Sequence, residues 1–341
     1  MPGMRTRLLV SGLCAALGVA SLGCGAGLKL TLIDASVRRP SNIAVYFTVD
    51  TSDGEPVGGL TAESFRIYED DQPVSVLESR QTILNQEVAA THYTLLLVDM
   101  SGSVSGSGDV PAIVDAARGF GERVQKYQKV AIYAFDGSPT IHPVVGFSSG
   151  GALTAGGARL ATYKPRDPST NLNGAVMEAH KVLEHQIASA PTPIAFGTLV
   201  VFTDGTDRAG RVPREKLHEH LDQAELDLVV IGVGAEINEG ELRAIGKKGA
   251  ILSKDRSQIA ASFEAAAARV EAYSKRYYLL GYCSPSRAGQ HEVRIETTAQ
   301  GRSGELSYKF DATGFGPNCD PTQKPAFNLK RPKRAAEPPA E

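Results

Sequence analysis

The chain has 341 residues, 42% of them hydrophobic, which is enough for two domains with cores of their own. Its 36 basic and 38 acidic residues are spread along the sequence and leave a net charge of -2, which argues against a nucleic-acid surface.

At the N-terminus, Arg5 and Arg7 precede an apolar stretch from Leu8 to Leu22 that is broken by Gly12 and Gly18. Its length and flanks predict an export signal over residues 1–23 rather than a membrane span. Ser21-Leu22-Gly23-Cys24 resembles the lipobox of bacterial lipoproteins, where the signal is cut before the cysteine and that cysteine is lipidated. Ser21 departs from the usual Leu, and ordinary cleavage near Gly23 or Ala26 is the alternative. With Gly25 rather than Asp next, the resemblance implies an anchor in the outer membrane, several acyl chains holding at roughly 0.8 kcal/mol per buried methylene.

Residues 28–88 read as β structure. Ile43 to Val49 and Ser64 to Tyr68 are rich in β-branched and aromatic residues, Asp53-Gly54 marks a turn, and Gln72 to Thr82 supplies another strand. So few strands do not close a sandwich unaided.

Over residues 90–275 strand and helix alternate. Tyr93 to Val98, Val130 to Phe135, Thr198 to Phe202, Leu226 to Val233 and Ala250 to Ser253 are the strands. Helical stretches between them cover Val110 to Lys126, Leu172 to His185, Arg214 to Gln223, Glu239 to Lys247 and Gln258 to Ala272. This alternation predicts a doubly wound, mostly parallel sheet with helices on both faces, with Ile141 to Phe147 as an antiparallel edge. Over residues 276–314 the two-residue period returns in Tyr277 to Tyr282, Glu292 to Thr298 and Glu305 to Phe310. The two flanks are therefore expected to pair into one β-sandwich into which the α/β domain is inserted. From residue 320 to 341 there is no hydrophobic periodicity, and Lys330-Arg-Pro-Lys-Arg334 precedes Ala, Glu and Pro, which predicts a disordered tail.

If Cys14 leaves with the signal and Cys24 takes lipid, Cys283 and Cys319 remain as a pair for an oxidising compartment, with two unrelated thiols as the alternative. Neither lies near a His or Cys at zinc-ligand spacing.

The chemistry concentrates where the apolar run Leu95 to Val98 ends in Asp99-Met-Ser-Gly-Ser103. Ligands of open α/β sheets bind at the carboxyl ends of strands, and oxygen donors of this type suit a hard divalent cation. A helix-capping loop would also use Asp and Ser here. The Asp-x-Ser-x-Ser pattern resembles the metal-ion-dependent adhesion site of von Willebrand factor type A domains. That site is completed by a Thr from a second loop and an Asp after another strand, positions that Thr170 and Asp204 match. Asp53 to Asp70 is similar to the segment preceding the type A domain in related bacterial proteins.

The resemblance implies magnesium held by Ser101 and Ser103 directly, by Thr170 in a state-dependent way, and with charge from Asp99 and Asp204. The ligand types also admit manganese or calcium. It implies an open position for an Asp or Glu carboxylate of a protein partner, and hence an exported, lipid-anchored binding protein of the cell envelope facing the periplasm or the cell surface. The different-class alternative is an envelope assembly factor whose metal site is vestigial.

Enzymatic readings fare poorly. An aspartyl-nucleophile phosphatase wants a second Asp where Ser101 stands, and there is no His-Glu-x-x-His, no Gly-Lys-Ser phosphate loop and no Gly-x-Ser-x-Gly elbow. Metal-dependent hydrolysis is only a minor alternative. Asp207 either rims the site or is a solvated loop carboxylate, and Asn171 and Asn173 either orient the Thr170 loop or cap the helix that follows. His218 and His220, two apart on a helix, face different ways.

Overall fold

The computed structural model describes residues 27–148, 152–224 and 226–327. The export signal and Cys24 lie outside the described residues, as do residues 328–341.

The central unit is a six-stranded sheet of β6 (Ala90–Asp99), β7 (Lys129–Phe135), β8 (His142–Ser148), β9 (Ile194–Thr203), β10 (Asp227–Val233) and β11 (Ala250–Ser253). They lie in the order β11-β10-β9-β6-β7-β8. All pairs are parallel except β7 with β8, the antiparallel edge expected from residues 141–147. The chain leaves β6 toward one side and later returns to β9 on the other, so the loop after Asp99 sits at a topological switch point.

Side chains alternate across the sheet, and each face is covered by helices. Leu96 and Val98 face α2 (Val110–Val124) and α7 (Ile259–Lys275), through Ile113, Phe120, Phe263 and Val270. Leu95 and Leu97 face α4 (Leu172–Ala188), α5 (Arg214–Gln223) and α6 (Glu239–Ile245), through Val176, Leu183, Leu217 and Leu242. The helical turn α1 (Gly102–Ser105) follows the Asp99 loop directly. A helix not expected from the sequence, α3 (Ala152–Ala161), packs beside β8. Its Gly156 is needed there, because a Cβ would come within 2.0 Å of the Val145 side chain.

The two flanks share both sheets of a sandwich. From the N-terminal flank come β1 (Leu28–Arg38), β2 (Asn42–Thr51), β3 (Phe65–Glu69), β4 (Gln72–Pro73) and β5 (Thr82–Ile83). From the C-terminal flank come β12 (Tyr277–Cys283), β13 (Gln290–Ala299) and β14 (Arg302–Asp311). One sheet runs β1-β2-β12-β5 and the other β14-β13-β3-β4, so each contains strands from both ends of the chain. Between them Val45, Phe47, Phe65, Ile67, Leu280, Tyr282, Val293 and Ile295 form one core. Tyr278 and Tyr282 bury their rings here while their hydroxyls donate to Val57 O and Glu69 Oε1.

Strand β2 is buried along its whole length because its two faces serve different cores. Ile43, Val45 and Phe47 point into the sandwich, whereas Ala44 and Tyr46 pack with Tyr277, Leu279, Ala90 and Ile194 where the sandwich meets the α/β unit.

The sequence assigned residues 320–327 to a disordered tail, and the structure corrects this. Residues 320–327 lie against the sandwich: Asp320 N donates to Asn42 Oδ1 at 3.0 Å, Ala326 N to Ser36 Oγ at 2.9 Å, and Phe327 is only 8% exposed. One aromatic anchor and a few backbone hydrogen bonds hold this segment, and neither leaves a periodic trace in sequence.

At the junction the His92 ring lies between Phe196 and Tyr277, with centroids 5.0 and 4.8 Å away. Although the residue retains some surface, burial of the ring, helped by nearby Arg276, holds its pKa down to about 4. The unfolded chain therefore binds a proton that the folded chain refuses between pH 6.5 and about 4. Stability from this group is fully present above that window, falls as pH drops through it, and falls no further below. The shift is equivalent to about 3 kcal/mol. In denaturant titrations at pH 7 and pH 4, His92→Gln is expected to lose about 3 kcal/mol less than the parent protein. Identical pH profiles would reject this account of the junction.

Candidate metal-binding site

Strand β6 delivers Asp99, with no exposed surface, to the sheet's carboxyl end. One carboxylate oxygen, Oδ1, accepts from Ser101 N at 2.9 Å, and Oδ2 accepts from Thr203 Oγ1 at 2.7 Å. Burial pushes the Asp99 pKa up to about 6, with the Asp204 charge adding to the rise and the bonds from Thr203 and Ser101 opposing it. Met100 N bonds Phe135 O at 2.8 Å and pins the loop to β7.

Ser101 is fully buried and Ser103 is exposed, yet their hydroxyl oxygens lie 3.2 Å apart. Ser103 Oγ donates to Asp204 Oδ1 at 2.8 Å. Asp204, the residue after β9, is 4% exposed.

Thr170 is nearly as buried, and its loop is tied to both others. Gly102 N donates to Pro168 O at 2.9 Å, while Thr170 O accepts from Arg208 N at 2.8 Å and Ala209 N at 3.0 Å. Gly102 is required for this approach, since a Cβ there would meet Pro168 O at 2.9 Å and Pro168 Cβ at 3.0 Å. Asp99, Ser101, Ser103 and Asp204 are thus joined by hydrogen bonds, and the loop carrying Thr170 is tied by its backbone to Gly102 on one side and to Arg208 and Ala209 on the other.

The donor set fits a hard, six-coordinate cation. Adjacent ligands around an octahedral ion at 2.0–2.1 Å lie about 2.9 Å apart. The Ser101–Ser103 and Ser103–Asp204 separations of 3.2 and 2.8 Å bracket that value. Among the described residues no group of three or more His, Cys, Asp or Glu is placed to hold a metal, so the hydroxyl-rich loop stands apart from a nitrogen or sulfur site.

Several neighbours have structural work. Asp207 accepts from Asn173 N and Gly210 N at 2.8 Å each and so fixes the start of α4. Asn171 Nδ2 donates to Ser138 O and Asn173 Nδ2 to Val212 O, which holds the Thr170 loop. His220 pairs with His180 across helices, Nε2 to Nδ1 at 2.6 Å.

Sequence reasoning missed Arg256. It projects from the turn after β11, where Asp255 accepts from Ser257 N and Oγ, and its guanidinium donates to Asp204 Oδ2 at 2.8 Å and Asp109 Oδ2 at 2.7 Å. Asp109 precedes α2, and its bond to Arg256 lowers its pKa.

No family model and no curated protein matches the chain. Solved structures similar to it include a von Willebrand factor type A protein from Catenulispora acidiphila, at 11% identity and TM-score 0.47 over 84% of this chain and 74% of that one. Proximal thread matrix protein 1 from the mussel byssus, with a zinc-occupied metal-ion-dependent adhesion motif, is similar at 15% identity and TM-score 0.43 over 55% of this chain and 48% of that one. The vWF domain of the pilus tip protein Mfa5 from Porphyromonas gingivalis is similar at 9% identity and TM-score 0.43 over 55% of this chain and 97% of that domain.

The sheet order with its antiparallel edge at β8, and the Asp-x-Ser-x-Ser loop at the switch point, agree with the doubly wound sheet expected from the resemblance to von Willebrand factor type A domains. Strands from the chain's two flanks form the accompanying sandwich.

Proposed function

We propose that the protein binds another protein through a magnesium-bridged contact, with Asp99, Ser101, Ser103, Thr170 and Asp204 as the ligand set. The observation that carries this reading is the placement of the Ser103 hydroxyl, within bonding reach of Ser101 on one side and Asp204 on the other. When bound, the ion supplies a Lewis-acidic position that an Asp or Glu carboxylate of the partner completes. Neutral hydroxyls donate little charge, so they leave that position electrophilic, while Asp99, oriented by Thr203, supplies compensating charge from behind. Manganese or calcium satisfies the same oxygen donors.

The reading assigns the site to binding rather than catalysis. It also takes residues 1–23 as signal, Cys24 as the lipidated residue, and the outer membrane as the location. Residues 28–88 and 276–314 then form one β domain that carries the unit of residues 90–275.

Replacing one inner ligand, Ser103→Ala, is expected to weaken manganese binding at least tenfold in calorimetry. Partner capture from envelope extract by the mature protein should be lost with EDTA and equally lost in Asp99→Ala. Capture indifferent to both favours the second reading, an assembly factor with a vestigial site. The Arg256 guanidinium on Asp204 supports that alternative, since an internal cation already partners the carboxylate.

A further inference from the structure

We propose that Arg256 is a built-in competitor of the divalent cation, setting the site's affinity by drawing on the Asp204 carboxylate. The proposal rests on the metal-binding reading and deepens it. Asp204 has one oxygen on the Ser103 hydroxyl and the other on the Arg256 guanidinium, at 2.8 Å each. A carboxylate so shared offers less charge to a cation on its serine side, and the guanidinium adds its own repulsion across the width of that one group.

The arrangement is built rather than incidental. The fork of Arg256 spans two carboxylates from separate elements, Asp204 after β9 and Asp109 before α2, a geometry that lysine does not reproduce. The Asp255 turn fixes where the side chain starts. Asp204 is 4% exposed while the Arg256 side chain is 38% exposed, so the carboxylate is the buried partner and the arginine is the one with room to swing toward solvent. Other arginines around the rim are spent elsewhere: Arg208 pairs with Glu236 and Arg211 with Asp167.

The test is manganese binding by calorimetry and thermal melting, with and without EDTA, on the folded chain without its signal. Arg256→Gln is expected to tighten manganese binding roughly tenfold, within the usual range of coupling between neighbouring sites. It should also lower Tm in EDTA, where Asp204 and Asp109 lose their cation, and recover more than the parent when manganese is added. Arg208→Gln removes the same charge from the rim and is expected to leave affinity unchanged. Arg256→Met repeats the measurement with an apolar stem should the Gln variant fold poorly.

Unchanged or weaker binding in the Arg256 variants, or equal tightening in Arg208→Gln, overturns the competitor role and leaves the metal site standing. Absence of binding in parent and variants alike overturns the metal site and the competitor role together.

Discussion

Arg276→Met is expected to lower the unfolding free energy by about 3–5 kcal/mol, the cost of removing one partner from a buried ion pair. Arg276 stands between α7 and β12, where the α/β unit hands the chain back to the sandwich. Its guanidinium reaches Asp50 Oδ1 on β2 at 3.2 Å and Asp227 Oδ2 on β10 at 3.5 Å, with all three side chains between 12% and 16% exposed. It also lies over the rings of Tyr273 and Tyr277, at 5.1 and 5.2 Å, and its carbonyl accepts from Val49 N at 2.9 Å. Burial alone would drive the guanidinium toward neutrality, but Tyr277, Asp227 and Asp50 hold it firmly charged. Asp50 shows the other side of the balance: burial raises its pKa although Arg276 pulls it down. With methionine at 276, the two largely buried carboxylates lose the guanidinium they share. Arg276→Lys keeps the charge but loses the planar stack on two rings, and should recover only part of the loss. Adding Asp50→Asn and Asp227→Asn to the methionine variant should restore most of it. A loss under about 1 kcal/mol in urea unfolding would mean that the pairs behave as exposed ones and that apolar packing alone joins the two units.

What the sequence revealed followed from how locally each feature is encoded. The buried strand β6 was legible because Leu95 to Val98 forms an unbroken apolar run that stops at a carboxylate. Asp204 was singled out only through the resemblance, as the Asp that follows the strand run Thr198 to Phe202. The sharing of two sheets between the flanks was legible only by counting: neither flank had strands enough to bury its own apolar face. Helix α3 was not legible, because Gly156 and Gly157 weaken its helical signal while the first of them serves a close contact with Val145. Arg256 was beyond reach for a different reason. It lies 52 residues from Asp204 and 147 from Asp109 in sequence, and Lys-Asp-Arg-Ser-Gln carries no pattern to single it out. The loop that closes β6 could be read from its local spacing, whereas the Arg256 charge beside Asp204 comes from a different crossover.

Loss of the Cys283–Cys319 bridge is expected to cost about 4 kcal/mol, since a loop of this length confines the unfolded chain by about that much in the chain-entropy account. The bridge joins the end of β12 to the segment leaving the sandwich, 36 residues apart in sequence. The segment is also held without sulfur: Gly316 N donates to Pro40 O at 2.7 Å, Asn42 Nδ2 to Gln323 Oε1 at 2.6 Å, and Phe327 packs 6.2 Å from the Tyr46 ring. These anchors act in the folded state and the bridge acts mainly in the unfolded one, so they separate by experiment. Cys283→Ser with Cys319→Ser should lower the urea midpoint while leaving amide protection across residues 316–327 nearly as it was. Phe327→Ala should do the reverse, loosening the segment with a smaller global loss. If the double serine variant frees the segment while the midpoint barely moves, the bridge works as a local clamp on the folded surface and the unfolded-chain argument fails here.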